Sequence, residues 1–204
     1  MLTNTHILVG AALFARKKFS KRQNLAVLFG GLLPDLSVFV MVLVSRLPGF
    51  HVDNLWRKPD GLYWQEPWQT LSMISNSAPL YAAMLILGFV LAKQTSGRLK
   101  GFWLGLSLLS AACLAHVLLD FPVHADDAHI HFWPLTEARF HSPISYWDRR
   151  HFGDIVGVLE AVAGLLIAFV LWRRFTSLWP RVGVVFLALP FVLSLGFSIY
   201  SFAN

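Results

Sequence analysis

The chain has 204 residues, of which 56% are hydrophobic and only 14% are charged, and its mean hydropathy is +0.58. This composition excludes an ordinary soluble domain and is typical of a membrane protein. The formal net charge of +6 does not indicate a nucleic-acid-binding protein, because the lysines and arginines form short clusters between hydrophobic stretches. The single cysteine, Cys113, excludes an intramolecular disulfide and a thiolate metal cluster.

The first apolar segment, residues 7–15, is too short to cross a bilayer. It offers about nine apolar residues, whereas a transmembrane helix needs about 20. We therefore expect a half-helix that is packed against the bundle or lies partly in the membrane interface. A cleaved signal peptide is not expected, because the basic residues follow this segment instead of preceding it.

Five later segments are long enough to cross a bilayer, namely residues 24–45, 71–92, 101–121, 155–172 and 182–202. The predicted fold is an all-α polytopic membrane helix bundle with about five transmembrane helices plus the short N-terminal half-helix. No internal repeat or second domain is visible, so residues 1–204 are interpreted as a single membrane-embedded helical domain.

The distribution of charge predicts the orientation. Lysine and arginine concentrate in residues 16–22, 93–100 and 173–181, and none of the 11 aspartates and glutamates lies there. By the positive-inside rule these three loops face the cytoplasm, and the long loops 46–70 and 122–154 face outwards.

Ionisable side chains interrupt the apolar segments at similar depths. At 1.5 Å per helical residue, Asp35 lies near mid-membrane, about 13 residues beyond the first basic cluster. His6 reaches a comparable height, Glu160 lies at a similar level in the fourth span, and His116 and Asp120 lie in the outer third of the third span. Charged groups at such depths are costly and usually face a bundle interior, where they are functional.

The stretch HVLLDFPVHADDAHIHFWPL, residues 116–135, carries the ligand chemistry. His116 and Asp120 are four residues apart and therefore share one helix face. Pro122 interrupts the helix, which lets His124 and Asp127 fold back over its end. Imidazole and carboxylate ligands without thiolate suit zinc, with manganese or Fe(II) as alternatives, and a divalent ion in such a site activates water for hydrolysis.

Four motifs resemble a known family. NTHILVGAAL, GGLLPD, HVLLDFPVHADDAHIHFWPL and RFHSPISYWDRRHFG are similar to motifs of the membrane-bound metal-dependent hydrolase-like proteins related to the LexA-regulated inner-membrane hydrolases, and they span most of the chain in order. The resemblance implies an α-helical bundle in a bacterial inner membrane. It also implies a metal site with roles for His6, Asp35, His116, Asp120, His124 and Asp127. A more distant similarity to zinc-dependent phospholipase C rests on an all-helical fold and His-x3-Asp spacing.

The chain departs from this family in two places. Many relatives carry a second acid two residues after the Pro-Asp, where this chain has Ser37, and an Arg-Gly-x-Thr-His-Ser motif, where it has residues 75–77, Ser-Asn-Ser. One expected imidazole is therefore missing. Either the site is mononuclear, or His129 or His131 substitutes for the missing ligand. Otherwise the loop histidines at 129, 131, 141 and 151 are expected to be solvated.

The leading hypothesis is a hydrolase whose metal-activated water attacks an ester, foremost a phosphoester of a lipid or envelope precursor. The metal ligands would be His6, Asp35, His116, Asp120 and His124. The site would lie in the outer half of the membrane beneath loop 122–154, with Glu160 or Asp127 as general base or orienting group. The alternatives are a non-catalytic metal or proton transporter and a metal-binding structural protein. The expected partners are the lipid bilayer and the substrate, not nucleic acid.

Several candidates have simpler explanations. Asp35 would then cap a helix break, His6 would be an interfacial N-terminal residue, and Glu160 would form a buried ion pair with Arg149 or Arg150. Residues 140–147, FHSPISYW, are expected to form an ordered lid, with a substrate anion bound by Arg139, Arg149 or Arg150 as an open alternative. A serine nucleophile at Ser142 or Ser145 is not expected, since neither lies in a nucleophile-elbow pattern.

Overall fold

The computed structural model describes residues 1–48 and 54–203, with residues 197–203 as helix backbone only. Residues 49–53 of the predicted loop 46–70 lie outside the described part. Within the described ranges the chain forms eight α-helices and no strand: α1 (Thr3–Phe14), α2 (Lys21–Leu32), α3 (Leu36–Val44), α4 (Glu66–Ser75), α5 (Ala78–Gln94), α6 (Gly97–Asp120), α7 (Gly153–Arg174) and α8 (Leu178–Ala203).

Five stretches of the described chain are long and apolar enough to cross a membrane: Lys21–Val44, Glu66–Gln94, Gly97–Val123, Gly153–Arg174 and Leu178–Gly196. They overlap the five spans predicted from the sequence. The prediction of an all-α polytopic membrane bundle is therefore confirmed. Outward-facing hydrophobic side chains such as Leu159, Leu166 and Phe169 on α7 are exposed, as expected for a helix that lies in lipid.

Successive membrane spans alternate in direction, so the three basic clusters of the sequence lie together at one end of the bundle. We call this the basic end. The opposite end carries the long segment 121–152 that connects α6 to α7, and we call it the loop end. Between them the interior is hydrophobic, with a buried cluster that includes Leu8, Val27, Ala112, Ala161 and Phe191.

Two of the five spans are interrupted, and the two interruptions meet. Pro34 lies in a tighter 3-10 turn between α2 and α3, as expected where proline lacks a backbone N–H. The second span breaks between α4 and α5, where Ser75 Oγ and Asn76 Nδ2 donate to the Pro34 carbonyl at 2.9 and 3.4 Å. The paired breaks fix the backbone that carries Asp35.

Helix α1 lies inside the bundle, where it packs against α2, α6, α7 and α8. The half-helix predicted from the sequence is therefore part of the core and does not lie in the membrane interface. Close packing against α2 depends on Gly31, because a Cβ there would lie 2.7 Å from Ile7 Cα and 2.9 Å from the His6 carbonyl oxygen. Any larger residue would push the two helices apart.

Helix α7 binds both ends of α1. At the loop end, Glu160 Oε1 accepts hydrogen bonds from the Leu2 amide at 2.7 Å and from Thr5 Oγ1 at 2.6 Å. At the basic end, Arg174 Nη1 donates to the carbonyl oxygen of Ala12 at 2.7 Å. These contacts satisfy backbone groups that a helix end leaves without intrahelical partners. They also fix the height of α1 in the bundle.

The segment 121–152 is ordered by backbone hydrogen bonds to the helix ends beneath it. The Tyr146 amide donates to the Val123 carbonyl at 3.1 Å, and the Ala78 amide donates to the His131 carbonyl at 2.9 Å. Ser142 Oγ donates to the Pro122 carbonyl at 2.6 Å, and Ser145 Oγ accepts from the Asp148 amide at 3.1 Å. Both serines thus support the loop backbone.

Candidate metal centre

Four parts of the chain deliver ionisable side chains to one place at the loop end of the bundle. Helix α1 carries His6, and the break after α2 carries Asp35. The last turn of α6 carries His116 and Asp120 on one face. The chain then leaves the helix at the 3-10 turn Phe121–Val123, which turns His124 back over the helix end. The structure therefore brings together all five residues predicted as metal ligands.

The carboxylate of Asp120 lies at the middle of this group and is 2% exposed. Its Oδ1 is 3.0 Å from His6 Nε2 and 3.4 Å from His124 Nε2, and its Oδ2 is 3.2 Å from His116 Nε2. Asp35 Oδ1 approaches His116 Nε2 at 3.5 Å. One donor atom from each of His6, His116 and Asp120 lies within 4.8 Å of the other two, a spacing at which one cation can be shared.

None of these close contacts has the geometry of a hydrogen bond. The Nε2 atoms of His6, His116 and His124 are buried and have no hydrogen-bond partner among the described residues. Buried polar atoms without partners are rare, and here three of them surround a buried carboxylate. A divalent cation could be shared by His6, His116 and Asp120, whose donor atoms are mutually close, whereas His124 and Asp35 adjoin this group without belonging to it. The residues present therefore fit a metal ion, and imidazole with carboxylate suits zinc, manganese or Fe(II).

Neighbouring groups orient the candidate ligands. His116 Nδ1 is 2.9 Å from the Gly31 carbonyl, which can only accept, so Nδ1 carries the proton and Nε2 presents its lone pair. Thr3 Oγ1 donates to Asp35 Oδ2 at 2.5 Å. The amino group of Met1 lies 2.5 Å from Asp120 Oδ1.

Asp127 lies on the far side of His124. Its Oδ2 is 3.0 Å from His124 Nδ1 and accepts a hydrogen bond from Trp147 Nε1 at 2.9 Å, whereas Oδ1 is buried without a partner. Burial by itself lowers the pKa of His124, but the carboxylates of Asp120 and Asp127 outweigh it and raise that pKa to about 9. Burial raises the pKa of Asp127, yet His124 outweighs this effect and the pKa falls to about 2.

Glu160 is buried on α7 and accepts the hydrogen bonds from α1 described above. The ion pair considered between Glu160 and Arg149 or Arg150 is not formed. Arg149 instead pairs with Asp154 at 3.1 Å, and Arg150 pairs with Asp148 at 2.7 Å and with Asp126 at 3.0 Å. Arg139 donates to the Ala128 carbonyl at 2.5 Å and to Gln69 Oε1 at 2.8 Å, so protein groups engage all three arginines.

The expectation that the loop histidines are solvated is wrong for two of them. His129 and His131 are only 8% and 3% exposed, because the loop folds back over the end of the bundle, whereas His141 is exposed. Sequence reasoning also missed the supporting residues Thr3 and Thr5. The sequence signal for them was the pair of hydroxyl residues that precedes His6 in the first turn of α1.

The two positions at which the chain departs from the family pattern are in contact. Ser37 Oγ lies 3.3 Å from Ser75 Oγ, and the neighbouring Asn76 Nδ2 donates to the Pro34 and Ser72 carbonyls. Asn76 therefore supports the helix break and does not take the place of an imidazole in the cluster. A second group with donor atoms within 4.8 Å, formed by Asp126, Asp148 and His151, already binds Arg150 through its carboxylates.

The fold and the site together define a polytopic helical membrane protein with a buried His/Asp candidate metal centre. Comparisons with protein-family models, with curated proteins and with solved structures return no match. The geometry of the centre is therefore the main observation that bears on function.

Proposed function

We propose that the protein is a membrane-embedded, metal-dependent hydrolase that cleaves an ester, foremost a phosphoester of a lipid or envelope precursor. One observation carries this proposal. Three buried imidazole nitrogens from separate parts of the chain face a buried carboxylate at 3.0 to 3.4 Å without hydrogen bonds. Buried nitrogens without hydrogen bonds are rare, and a divalent cation would supply a partner for both the imidazoles and the carboxylate.

The residues have distinct roles in this proposal. His6, His116, His124, Asp120 and Asp35 would hold the ion, with zinc as the first choice. A bound divalent ion supplies Lewis acidity, which activates water near neutral pH and polarises the ester. Asp127 Oδ2 lies 3.0 Å from His124 Nδ1, so its carboxylate orients that ring, and its pKa of about 2 makes it an orienting group and not the general base. Glu160 positions His6 by binding the first turn of α1.

The position of the centre supports a lipid-derived substrate. His116 and Asp120 lie within the apolar span Gly97–Val123, so the centre is at membrane depth. By the positive-inside rule the basic end would face the cytoplasm, and we propose that the centre lies towards the outer face of a bacterial inner membrane. A phosphoester that is part of a lipid-like molecule would reach such a site by diffusing within the membrane.

The hydrophobic interior argues against the transporter alternative. A transported ion needs a polar path from the centre to the basic end. The buried cluster on that side consists of hydrophobic residues, including Leu8, Ala15, Val27, Ala168 and Leu171. A metal-binding protein without catalysis is distinguished from a hydrolase only by an assay of activity.

The first test is the metal content of the full chain purified in detergent without chelators. We expect about one zinc per chain in the wild type and almost none in His116→Ala and Asp120→Ala, since each removes a ligand. The matched controls are His141→Ala and Asp154→Ala, which remove an exposed imidazole and an exposed carboxylate from the same end of the molecule. Both controls should retain wild-type metal content.

The second test is hydrolysis of a panel of phosphoesters by the same proteins. Activity that follows metal content across wild type, ligand variants and controls supports the hydrolase. Wild-type metal content no higher than that of the ligand variants would overturn the metal centre. Full metal content without hydrolysis of any phosphoester or carboxylic ester in the panel would favour the structural alternative.

A further inference from the structure

His129 and His131 are two buried imidazoles that the candidate metal centre does not use. The His129 ring centroid lies 4.8 Å from that of His124 and 5.6 Å from that of His131, so the pair adjoins the centre. Yet neither histidine belongs to a group of three potential ligands with donor atoms within 4.8 Å of one another. The two side chains are thus beside the centre but are not arranged to close on one ion.

The tautomer of His131 follows from its hydrogen bond. Its Nδ1 lies 3.4 Å from the carbonyl oxygen of Asn76, and a carbonyl can only accept. Nδ1 therefore carries the proton. In the neutral ring Nε2 is then a hydrogen-bond acceptor.

The partners of His129 permit the opposite tautomer. Its Nδ1 lies 3.0 Å from Ser72 Oγ and 3.3 Å from Tyr63 Oη. Burial raises the pKa of Tyr63 to about 12, so the phenol keeps its proton, and either hydroxyl can donate to Nδ1. When Nδ1 accepts, the neutral ring of His129 carries its proton on Nε2, which is then a hydrogen-bond donor.

Both Nε2 atoms are available to a ligand. Neither has a hydrogen-bond partner in the described part of the chain, and neither is among the fully enclosed partnerless atoms, unlike Nε2 of His6, His116 and His124. The loop end can therefore present one N–H donor and one lone-pair acceptor on neighbouring rings, next to His124.

We propose that His129 and His131 form the substrate-binding pair of the hydrolase: His129 Nε2–H donates to an anionic phosphoester oxygen, and His131 Nε2 accepts from a hydroxyl of the alcohol part. This inference rests on the proposed function and narrows its substrate to phosphoesters of polyols, such as a glycerol or sugar headgroup. The N–H of His129 would bind the negatively charged phosphoester oxygen. Nε2 of His131 would favour substrates whose alcohol part has a free hydroxyl.

The test uses the zinc-loaded full chain in detergent, with binding measured by calorimetry so that turnover is not needed. The probes are inorganic phosphate, ethyl phosphate and glycerol phosphate. Glycerol phosphate has free hydroxyls on its alcohol part, whereas ethyl phosphate has none. The variants are His129→Leu, which removes the donor, His129→Gln, which keeps an N–H donor, and His131→Leu, which removes the acceptor. His141→Leu is the control for loss of an exposed loop imidazole.

We expect wild type to bind glycerol phosphate more tightly than ethyl phosphate, and His131→Leu to lose this preference while its affinity for inorganic phosphate is unchanged. His129→Leu should bind inorganic phosphate at least about 10-fold more weakly, the usual effect of losing a hydrogen bond to a charged group. His129→Gln should lose less than His129→Leu. All variants should keep the zinc content of wild type.

Three results would overturn the inference. Loss of zinc in folded His129→Leu or His131→Leu would make the residue a ligand. Unchanged phosphate affinity in His129→Leu at full zinc content would remove the donor role. Equal wild-type affinities for glycerol phosphate and ethyl phosphate would remove the polyol specificity, and this result needs no variant to fold. Wild type without zinc would instead overturn the proposed function itself.

Discussion

The imidazole rings of His6 and His116 are stacked, with centroids 3.5 Å apart and planes inclined by 10°. One ring belongs to the first helix and the other to α6. The stack brings both Nε2 atoms to the same carboxylate, that of Asp120. Packing between two helices and the proposed binding of metal thus depend on the same pair of side chains.

The His6→Phe substitution separates these two contributions. Phenylalanine keeps a ring to stack on His116 but cannot bind a cation, so we expect the fold to persist and zinc affinity to fall. The fall should exceed the roughly 10- to 100-fold that follows loss of a supporting contact. A zinc titration together with a melting curve measures both quantities. Wild-type zinc affinity in His6→Phe would show that His6 is not a ligand.

Gly31→Ala should move α1 away from α2. The added Cβ would lie 2.7 Å from Ile7 Cα, so we expect a loss of about 1–3 kcal/mol in the free energy of unfolding, together with weaker zinc binding. Gly105→Ala is the matched control, because nothing lies within 4 Å of its Cβ, and it should be neutral or slightly stabilising. Equal melting temperatures and zinc affinities for the two variants would contradict the close-packing argument.

Zinc affinity should rise with pH between pH 6 and 8. Without metal, the carboxylates of Asp120 and Asp127 outweigh burial and hold the pKa of His124 at about 9, so His124 is protonated in this range. Metal must displace that proton, which costs up to about tenfold in affinity for each unit that the pH lies below the pKa. Competition with a chelator of known pH dependence measures the slope. His124→Gln should bind zinc more weakly and show a smaller slope; equal slopes would assign the proton to another group.

Glu160→Gln and Glu160→Ala distinguish a positioning residue from a general base. Glutamine retains an oxygen that can accept from the Leu2 amide and Thr5 Oγ1, so we expect near wild-type zinc content and activity. Alanine leaves these donors unpaired and should cost about 1–3 kcal/mol in stability. If Glu160→Gln binds zinc normally but has lost hydrolysis, Glu160 is the general base and not only a positioning residue.

Much of the fold could be predicted from hydropathy alone. Long apolar stretches must form helices in lipid, so the five spans follow from composition. Their interruptions are less predictable. Pro34 signals one break, and Pro79 in the first turn of α5 signals the other. That the two breaks meet depends on hydrogen bonds from Ser75 and Asn76 to the Pro34 carbonyl, which the sequence does not reveal. The central position of α1 likewise depends on contacts with four helices, because its own apolar length decides only that it does not cross.

The candidate ligands were predictable because depth in a membrane can be counted along a helix. His6, Asp35, His116 and Asp120 lie at similar depths in the membrane. Charged side chains at that depth are costly unless they bind one another or a common ion. The burial of His129 and His131 was not predictable, since a polar loop rich in aspartate and histidine looks solvated. It depends on the His131 carbonyl, which binds the Ala78 amide across the chain and draws the loop onto the bundle.

Because α7 contacts both ends of α1, the number of residues between these contacts on α7 must match the length of α1. Glu160 and Arg174 are 14 residues apart, or about 21 Å along the axis, and α1 with its 12 residues spans about 18 Å. A single residue inserted into α7 between them would shift one contact by about 1.5 Å and rotate it by about 100°. The number of residues between Glu160 and Arg174 is therefore constrained by the length of α1.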